Sequence, residues 1–361
     1  MELKPFFFQK TNLQYYLSEK DIGEERAAVS HAKLTELNSN VNVVRIPSSQ
    51  ALAESFIKNY NVVIVIDNDD EEEILRISDI CHSNKIYFIK GESKGVFGSV
   101  FVDFGEKFVV ADVDGEEAES YVISHIANGP KTVFTTSEDA KIDFQTGDTV
   151  EIKEVKAEGG SKGFESFNGK VFKAAVNGFY EFEIEEDSSL FGRYITGGVV
   201  KKIKQPKEIN FKSLRESLID PGNFDLEDFA KFGSSGQLHF GFRALHHFVK
   251  EKGHLPEIGN HDHVNRVVEI AKDLNGKQES GKFKVEEVDE KLIALIAKTS
   301  RGNLNPVAAF LSGIIAQEAL KTTGKFMPIC QWYYFDCREA LPQDLDSIDR
   351  RPVCFYFLFF V

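Results

Sequence analysis

The stretch from Ser300 to Pro342 constrains this chain most, because its first half reads as a helix with apolar residues on nearly every side. Asn305 is placed to cap that helix. Pro306 suits a first helical position, where its missing N–H costs nothing, and Gly324 is placed to end the helix. Between them lie Val307, Phe310, Leu311, Ile314, Ile315 and Leu320, with Ala308, Ala309, Ala316 and Ala319 in most remaining positions. A helix of this kind is expected to be buried on every side. Residues 326–335 follow as an extended apolar run ending at Asp336. The pattern predicts a helix that closes a core and a strand that enters it.

Upstream, strands and helices alternate. A short apolar segment at 13–17 precedes a helix at 24–37, with Val29, Ala32, Leu34 and Leu37 near helical spacing. A strand at 41–46, a short helix at 51–60 and an apolar strand at 62–66 come next. Asp70 then opens an acidic helix through Ile74, Ile77 and Ile80, and a strand follows at 86–89. Strands apolar on both faces, separated by helices, predict a covered parallel sheet. Such sheets often bind nucleotides, yet the loop before the first helix holds only Gly23, so a G-x-G-x-x-G phosphate loop cannot form there. Asp67 ends an apolar strand where a ribose-binding carboxylate would sit. Without the loop, a helix-capping or solvated Asp is the expectation. The sheet reads as a scaffold.

After Gly95 the period shortens, and to Ile203 the chain is short strands joined by turns. Asp114-Gly115, Asn128-Gly129, Asn168-Gly169 and Asn177-Gly178 all accept positive φ cheaply. The clearest hairpin pairs 170–176 with 179–184. Turns at this density predict a small antiparallel barrel or sandwich; the glycine-rich loop at 157–163 is a plain surface connection. From Gln205 helical stripes take over: Phe211, Leu214 and Leu218, then Leu238, Phe242, Leu245 and Val249. Val264, Val267, Ala271 and Leu274 form a third, and Val288, Leu292, Leu295 and Thr299 a fourth. A compact antiparallel helical bundle is expected.

Three features in the last third imitate chemistry. Gly276-KQES-Gly281-Lys282 has the spacing of a phosphate-binding loop, but Phe283 stands where Ser or Thr would bind magnesium, and a helix precedes it. His239, His246, His247, His254, His261 and His263 are dense enough to suggest a metal, but they lack co-ligands at metal-site spacing. Surface histidines are the expectation. Cys330 and Cys337 flank aromatic residues without a basic activator and read as buried inert thiols.

The net charge of −14 argues against nucleic acid or a lipid surface and suits a partner with a basic face. Four scattered cysteines fit a reducing compartment, cytoplasmic or nuclear. The opening MELKPFFFQK is too short for a signal peptide, and no apolar run reaches membrane-spanning length.

The wording of several segments is more specific than their pattern. YYLSEKDIG, RAAVSHAKLTELN, CHSNKIYFI, GVFGSVFVDFGEKF, INFKSLRESL, QLHFGFRALHHF and RGNLNPVAAFLSGIIAQEALK, followed by GKFMPI and QWYYFD, closely resemble the inactive adenylation half of the ubiquitin-activating enzyme. The resemblance covers nearly all of residues 11–342.

It implies an α/β sheet scaffold, an incomplete Rossmann-like adenylation domain, interrupted by a small β-barrel domain and a four-helix bundle. By this resemblance 11–104 begin the inactive adenylation domain, and 105–204 form the β-rich first catalytic-cysteine half-domain. Residues 205–299 form the bundle, 300–342 return to the adenylation domain, and 343–361 are a divergent tail. The family adenylates ubiquitin with Mg-ATP and then forms a thioester. No cysteine here matches the thioester cysteine, and Cys354 lies in the tail, so neither a catalytic residue nor a cofactor or metal site is expected in this chain.

The implied partners are ubiquitin, contacted by the β domain and by Arg301 and Asn303, and an active adenylation half or subunit. Read as residues alone, Arg301 and Asn303 cap and solvate a helix end. Two functions compete: a non-catalytic N-terminal portion of the enzyme, and a free-standing ubiquitin-binding scaffold that pairs with a separate active chain. The apolar tail 353–361, rich in phenylalanine, carries the signature of an aggregation-prone strand.

Overall fold

The computed structural model describes residues 16, 18–21, 24–158, 163–224, 228–279 and 281–342. They form two compact units. One draws on Met1–Phe108, Ile209–Thr323 and Pro328–Val361, the other on Val109–Glu208 and Gly324–Met327. Gly23, most of the expected segment at 13–17, most of the loop at 157–163 and the tail from 343 with Cys354 lie outside the described residues.

The first unit opens with α1 (Arg26–Leu37), which starts at Glu25 without a side-chain cap. The strand expected at 41–46 does not form. Val41 and Val44 are exposed, and the Val43 carbonyl accepts from His31 Nε2 of α1 at 3.0 Å instead of from a neighbouring strand. An apolar run without a pairing partner stays irregular. The helix expected at 51–60 is two single turns, α2 (Ser48–Ala51) and α3 (Glu54–Ile57). Next come β1 (Val62–Ile66), α4 (Glu71–Ser83), β2 (Tyr87–Lys94) and β3 (Phe97–Asp103). Asp70 caps α4 by accepting from the Glu73 N–H, and Glu71, Glu72 and Glu73 occupy the positive end of its dipole.

The second unit is a seven-stranded, nearly closed, barrel-like antiparallel sheet. After the short β4 (Phe108–Val110) come β5 (Ser120–Ala127), β6 (Thr132–Thr136), β7 (Thr149–Ala157), β8 (Lys170–Lys173), β9 (Ala175–Val176), β10 (Glu181–Ile184) and β11 (Tyr194–Ile203). The order is β8-β7-β11-β5-β6-β10-β9. The hairpin expected from 170–176 is divided at Ala174. Its first part pairs with β7, and only Ala175–Val176 pairs with β10. Of the four expected Gly turns, Gly115 and Gly169 take positive φ. Phe134, Phe164 and Phe182 are fully buried in the core, with Phe134 and Phe182 stacked at 5.0 Å between ring centroids. Each such side chain contributes roughly 1.5–3 kcal/mol.

After β12 (Lys207–Ile209) the chain returns to the first unit and turns helical. α5 (Leu214–Ile219) opens with a complete capping box between Ser213 and Glu216. α6 (Ser234–Lys252) packs against α7 (His261–Gly276) and α8 (Glu290–Thr299). α9 (Asn305–Lys321) follows, with Leu304 rather than Asn305 in the cap position, and β13 (Trp332–Asp336) begins six residues later than the run expected from 326.

The sheet of this unit is mixed rather than parallel, in the order β1-β2-β3-β13. β1 and β2 run parallel, whereas β2–β3 and β3–β13 are antiparallel. The cause is local: Lys94 pairs with Phe97 across a two-residue turn in which Gly95 takes φ +64°, and so tight a turn joins antiparallel neighbours only. α9 lies on β2 and β3. It buries one stripe, Val307, Leu311, Ile315 and Glu318, while Phe310 is 46% and Leu320 70% exposed. Burial on every side is therefore not found, because the sheet offers a single surface to the helix. No helix among the described residues is long and apolar enough to cross a membrane.

Candidate functional site

A nucleotide bound to an α/β sheet would sit at the carboxyl end of β1. Asp67 occupies that place with φ +46°, and its carboxylate accepts from the Ser93 N–H at 2.8 Å. Asp67 is not a helix cap, since Asp70 caps α4, but it is exposed, as a solvated Asp would be. Burial pushes the Asp67 carboxyl above its ordinary value, against the lowering effect of the Ser93 bond. Asp69 pairs with Lys94 Nζ at 2.7 Å.

Beside them opens a groove of about 1050 Å³, floored by Leu52, Ile64, Ile66, Ile77 and Val249 and rimmed by carboxylates from Asp67 to Glu73. Its cations are Arg26 and Lys250, and Lys250 is paired with Glu72 at 2.8 Å. A triphosphate needs N–H donors and positive charge. The residues present do not fit Mg-ATP.

Behind the groove lies a buried charge cluster. Lys90, Glu92 and Lys94 alternate along β2, so all three share one face of the strand, and all are buried. Glu92 forms ion pairs with Lys90 and with His246 Nε2, the latter at 2.9 Å, and accepts from Ser99 Oγ at 3.0 Å. Burial opposes ionisation of Glu92, but the positive charges of Lys90 and His246 outweigh it and hold the carboxyl well below its ordinary value. Next to the cluster, His239 Nε2 donates to the Leu218 carbonyl at 2.8 Å. Its Nδ1 therefore accepts from the Tyr334 hydroxyl, also at 2.8 Å. Burial, reinforced by Arg243, pushes His239 down to about 3, so the ring is neutral.

These contacts correct the surface reading of His239 and His246, both of which are buried. They work as internal connectors, and among the described residues no group of three or more His, Cys, Asp or Glu could hold a metal ion. Cys330 and Cys337 are half-buried rather than buried, while Cys81 is fully buried, its thiol pushed up to about 12 by burial and by Asp103. Phe283, at the end of the phosphate-loop-like spacing, stacks on Phe240 with ring centroids 6.0 Å apart. Sequence reasoning missed the cluster of Lys90, Glu92 and His246. The available signal was KGESK, a run of alternating charges inside an otherwise apolar strand region.

The remaining candidates lie where α8 passes to α9. Arg301 is exposed, and its guanidinium donates to the carbonyls of Pro256 and Leu255, each at 2.7 Å. Asn303 bridges to Gly95, whose N–H donates to the Gly302 carbonyl at 2.9 Å. The two residues sit together at this corner, and Arg301 ties it to the loop after α6. Beyond the corner, Ala309, Gly313, Ala316 and Leu320 are exposed at spacings of four, three and four, a single small-residue and apolar face on α9.

Known proteins share this arrangement in sequence. Residues 205–275 match the family described as ubiquitin-activating enzyme E1 four-helix bundle, and residues 129–204 match the ubiquitin-activating enzyme E1 FCCH domain. Ubiquitin-activating enzyme E1 2 of Arabidopsis thaliana is 40% identical over 343 residues, which is 94% of this chain and 31% of that protein. Ubiquitin-like modifier-activating enzyme 1 of Oryctolagus cuniculus is 40% identical over 337 residues, 93% of this chain and 31% of its own length. The human protein of the same name is 39% identical over the same span. The chain thus spans about a third of the length of the curated relatives it matches. Carrying both domain types and this identity along nearly its whole extent, it is a relative of the ubiquitin-activating enzymes E1 that corresponds to about a third of their length.

Proposed function

We propose that the chain is the non-catalytic N-terminal portion of a ubiquitin-activating enzyme, an incomplete Rossmann-like adenylation domain that supports ubiquitin binding and carries the active adenylation half. The observation that bears this reading is the 40% identity along 94% of the chain to proteins named for activating ubiquitin. Two features of the fold support it. The acid-rimmed groove at β1 is hostile to phosphate, so Mg-ATP is held by the active half. The exposed face of α9, with Ala309, Gly313 and Ala316, permits close approach of a second helix-bearing domain.

Ubiquitin contacts are assigned to the corner at Arg301 and Asn303. The net charge of −14 suits a partner with a basic face. The test is titration of isotope-labelled ubiquitin with the purified chain, together with ATP–pyrophosphate exchange. Chemical-shift changes in ubiquitin and background exchange are expected. No shift change up to about 1 mM chain, or robust exchange by the chain alone, overturns the reading.

A further inference from the structure

On the bundle, the described residues line a second pocket, of about 510 Å³, with a chemistry unlike that of the acidic groove. Arg243 of α6 lines it, with the guanidinium carbon over the Phe240 ring at 5.6 Å from the centroid. The Nη1 of this guanidinium is buried and makes no hydrogen bond, and Arg243 has no ion-pair partner among the described residues. A buried donor left without a partner is costly. Burial pushes Arg243 below its ordinary value, against the pull of Tyr334 and Glu71.

Three more cations line the same pocket: Lys212, Lys277 and Lys282. Lys212 and Lys282 share one carboxylate, that of Asp220, at 2.9 and 3.7 Å, so two ammonium groups divide a single negative charge. The lining also holds Glu216, Asp220 and Glu279; Glu216 is turned into the capping box with Ser213, and Lys277 pairs with Asp273 at 3.2 Å. Three paired lysines, two of them sharing one carboxylate, thus surround a guanidinium with an unbonded donor.

We propose that this pocket binds a small phosphate-bearing anion, with Arg243 as its central donor and Lys212, Lys277 and Lys282 around it. A guanidinium fork combined with point charges suits a multiply charged tetrahedral group better than a single carboxylate. The volume lies within the usual range for small-molecule sites, about 300–1000 Å³. The loop with phosphate-loop-like spacing supplies Lys277 and Lys282, but through side chains. Its amides at Lys277, Gln278 and Lys282 already donate to the Asp273, Asn275 and Glu279 carbonyls, so it makes no backbone cradle.

The full chain tests this with inorganic phosphate, pyrophosphate and ADP as probes, followed by calorimetric titration and thermal unfolding, against chloride at matched ionic strength. Saturable single-site binding of pyrophosphate is expected, weaker for phosphate. Arg243→Met, which removes the guanidinium and keeps an unbranched side chain, abolishes it. Lys277→Gln with Lys282→Gln, both on the pocket's outer wall, weakens it about tenfold or more, or about 1.4 kcal/mol. ADP bound more tightly than pyrophosphate makes the ligand a nucleotide, and equal binding makes it the diphosphate alone. No saturable binding up to about 10 mM pyrophosphate overturns the site. Undiminished binding in both variants does the same, and the lysine variant decides the matter alone if Arg243→Met does not fold.

Discussion

His246 Nε2 lies 2.9 Å from Glu92 Oε2, a contact between residues 154 positions apart in the chain. It fastens α6 of the bundle to β2 of the sheet, and Lys90 on the same face of β2 supplies the compensating charge. The bundle therefore reads less as an appendage than as a cover for the polar face of this sheet. Removing either acid or base leaves charge behind in a site that water does not reach.

Glu92→Leu should accordingly destabilise the first unit by about 3–5 kcal/mol, because Lys90 is left buried without a partner. Replacing both, Lys90→Met with Glu92→Leu, should recover most of the loss. Since the folded Glu92 carboxyl titrates well below its ordinary value, its contribution is present above about pH 4.5 and disappears as pH falls through the folded value. Urea unfolding of the three proteins measures it; a loss below about 1 kcal/mol for Glu92→Leu alone would mean that the pair is solvated.

His239 sets a second acid limit, higher in pH. In the folded chain it titrates near about 3, against 6.5 for an ordinary histidine, so the unfolded chain binds the extra proton throughout that window. Stability is thus complete above pH 6.5 and falls towards pH 3 with a slope of about 1.4 kcal/mol per pH unit. His239→Phe should lose about 1–3 kcal/mol at pH 7 through the orphaned Leu218 and Tyr334 groups, while flattening that slope. Unfolding free energies between pH 4 and 7 decide it, and an unchanged slope in the variant would assign the titration elsewhere.

Gly95 is the backbone hinge of the corner that holds Asn303. Its φ is +64°, and an added Cβ would stand 2.5 Å from the Thr299 carbonyl oxygen, a backbone atom without freedom to retreat. Gly95→Ala should cost about 2–4 kcal/mol through backbone strain and overpacking. Amide exchange at Gly302 and Asn303 should rise in the variant more than exchange in α7. Equal protection at both places would show that the corner adapts.

How far the sequence announced all this depended on whether the cause was local. The α4 helix was legible because its cap and its acidic first turn are made by adjacent residues, Asp70 to Glu73. The stripe of α6 was legible too, through Leu238, Phe242, Leu245 and Val249. Its histidines were not: His239 and His246, seven apart, lie on one face, but what that face meets is β2 and β13, which are distant in sequence. The strand expected at 41–46 is absent for the same reason, since an apolar run becomes a strand only where another strand is free to pair. Of the candidate site, Asp67 was located but its partner Ser93 was invisible, because only the fold brings the end of β1 to β2.

The exposed face of α9 is where composition misled most, and it supports a last expectation. Ala309, Gly313, Ala316 and Leu320 form one open stripe, and Phe310 beside them is half covered by Phe335, with ring centroids 4.6 Å apart. An open apolar stripe favours association. Leu320→Lys with Ala316→Lys touches none of the buried stripe of Val307, Leu311 and Ile315, so unfolding stability should change by no more than about 0.5 kcal/mol. Sedimentation velocity should nonetheless show less self-association of the chain, and binding to an active adenylation half, supplied separately, should fall by about tenfold or more. Two lysines that leave both readouts unchanged would mean that this face is an ordinary solvated surface, and the partner would then have to be sought elsewhere on the first unit.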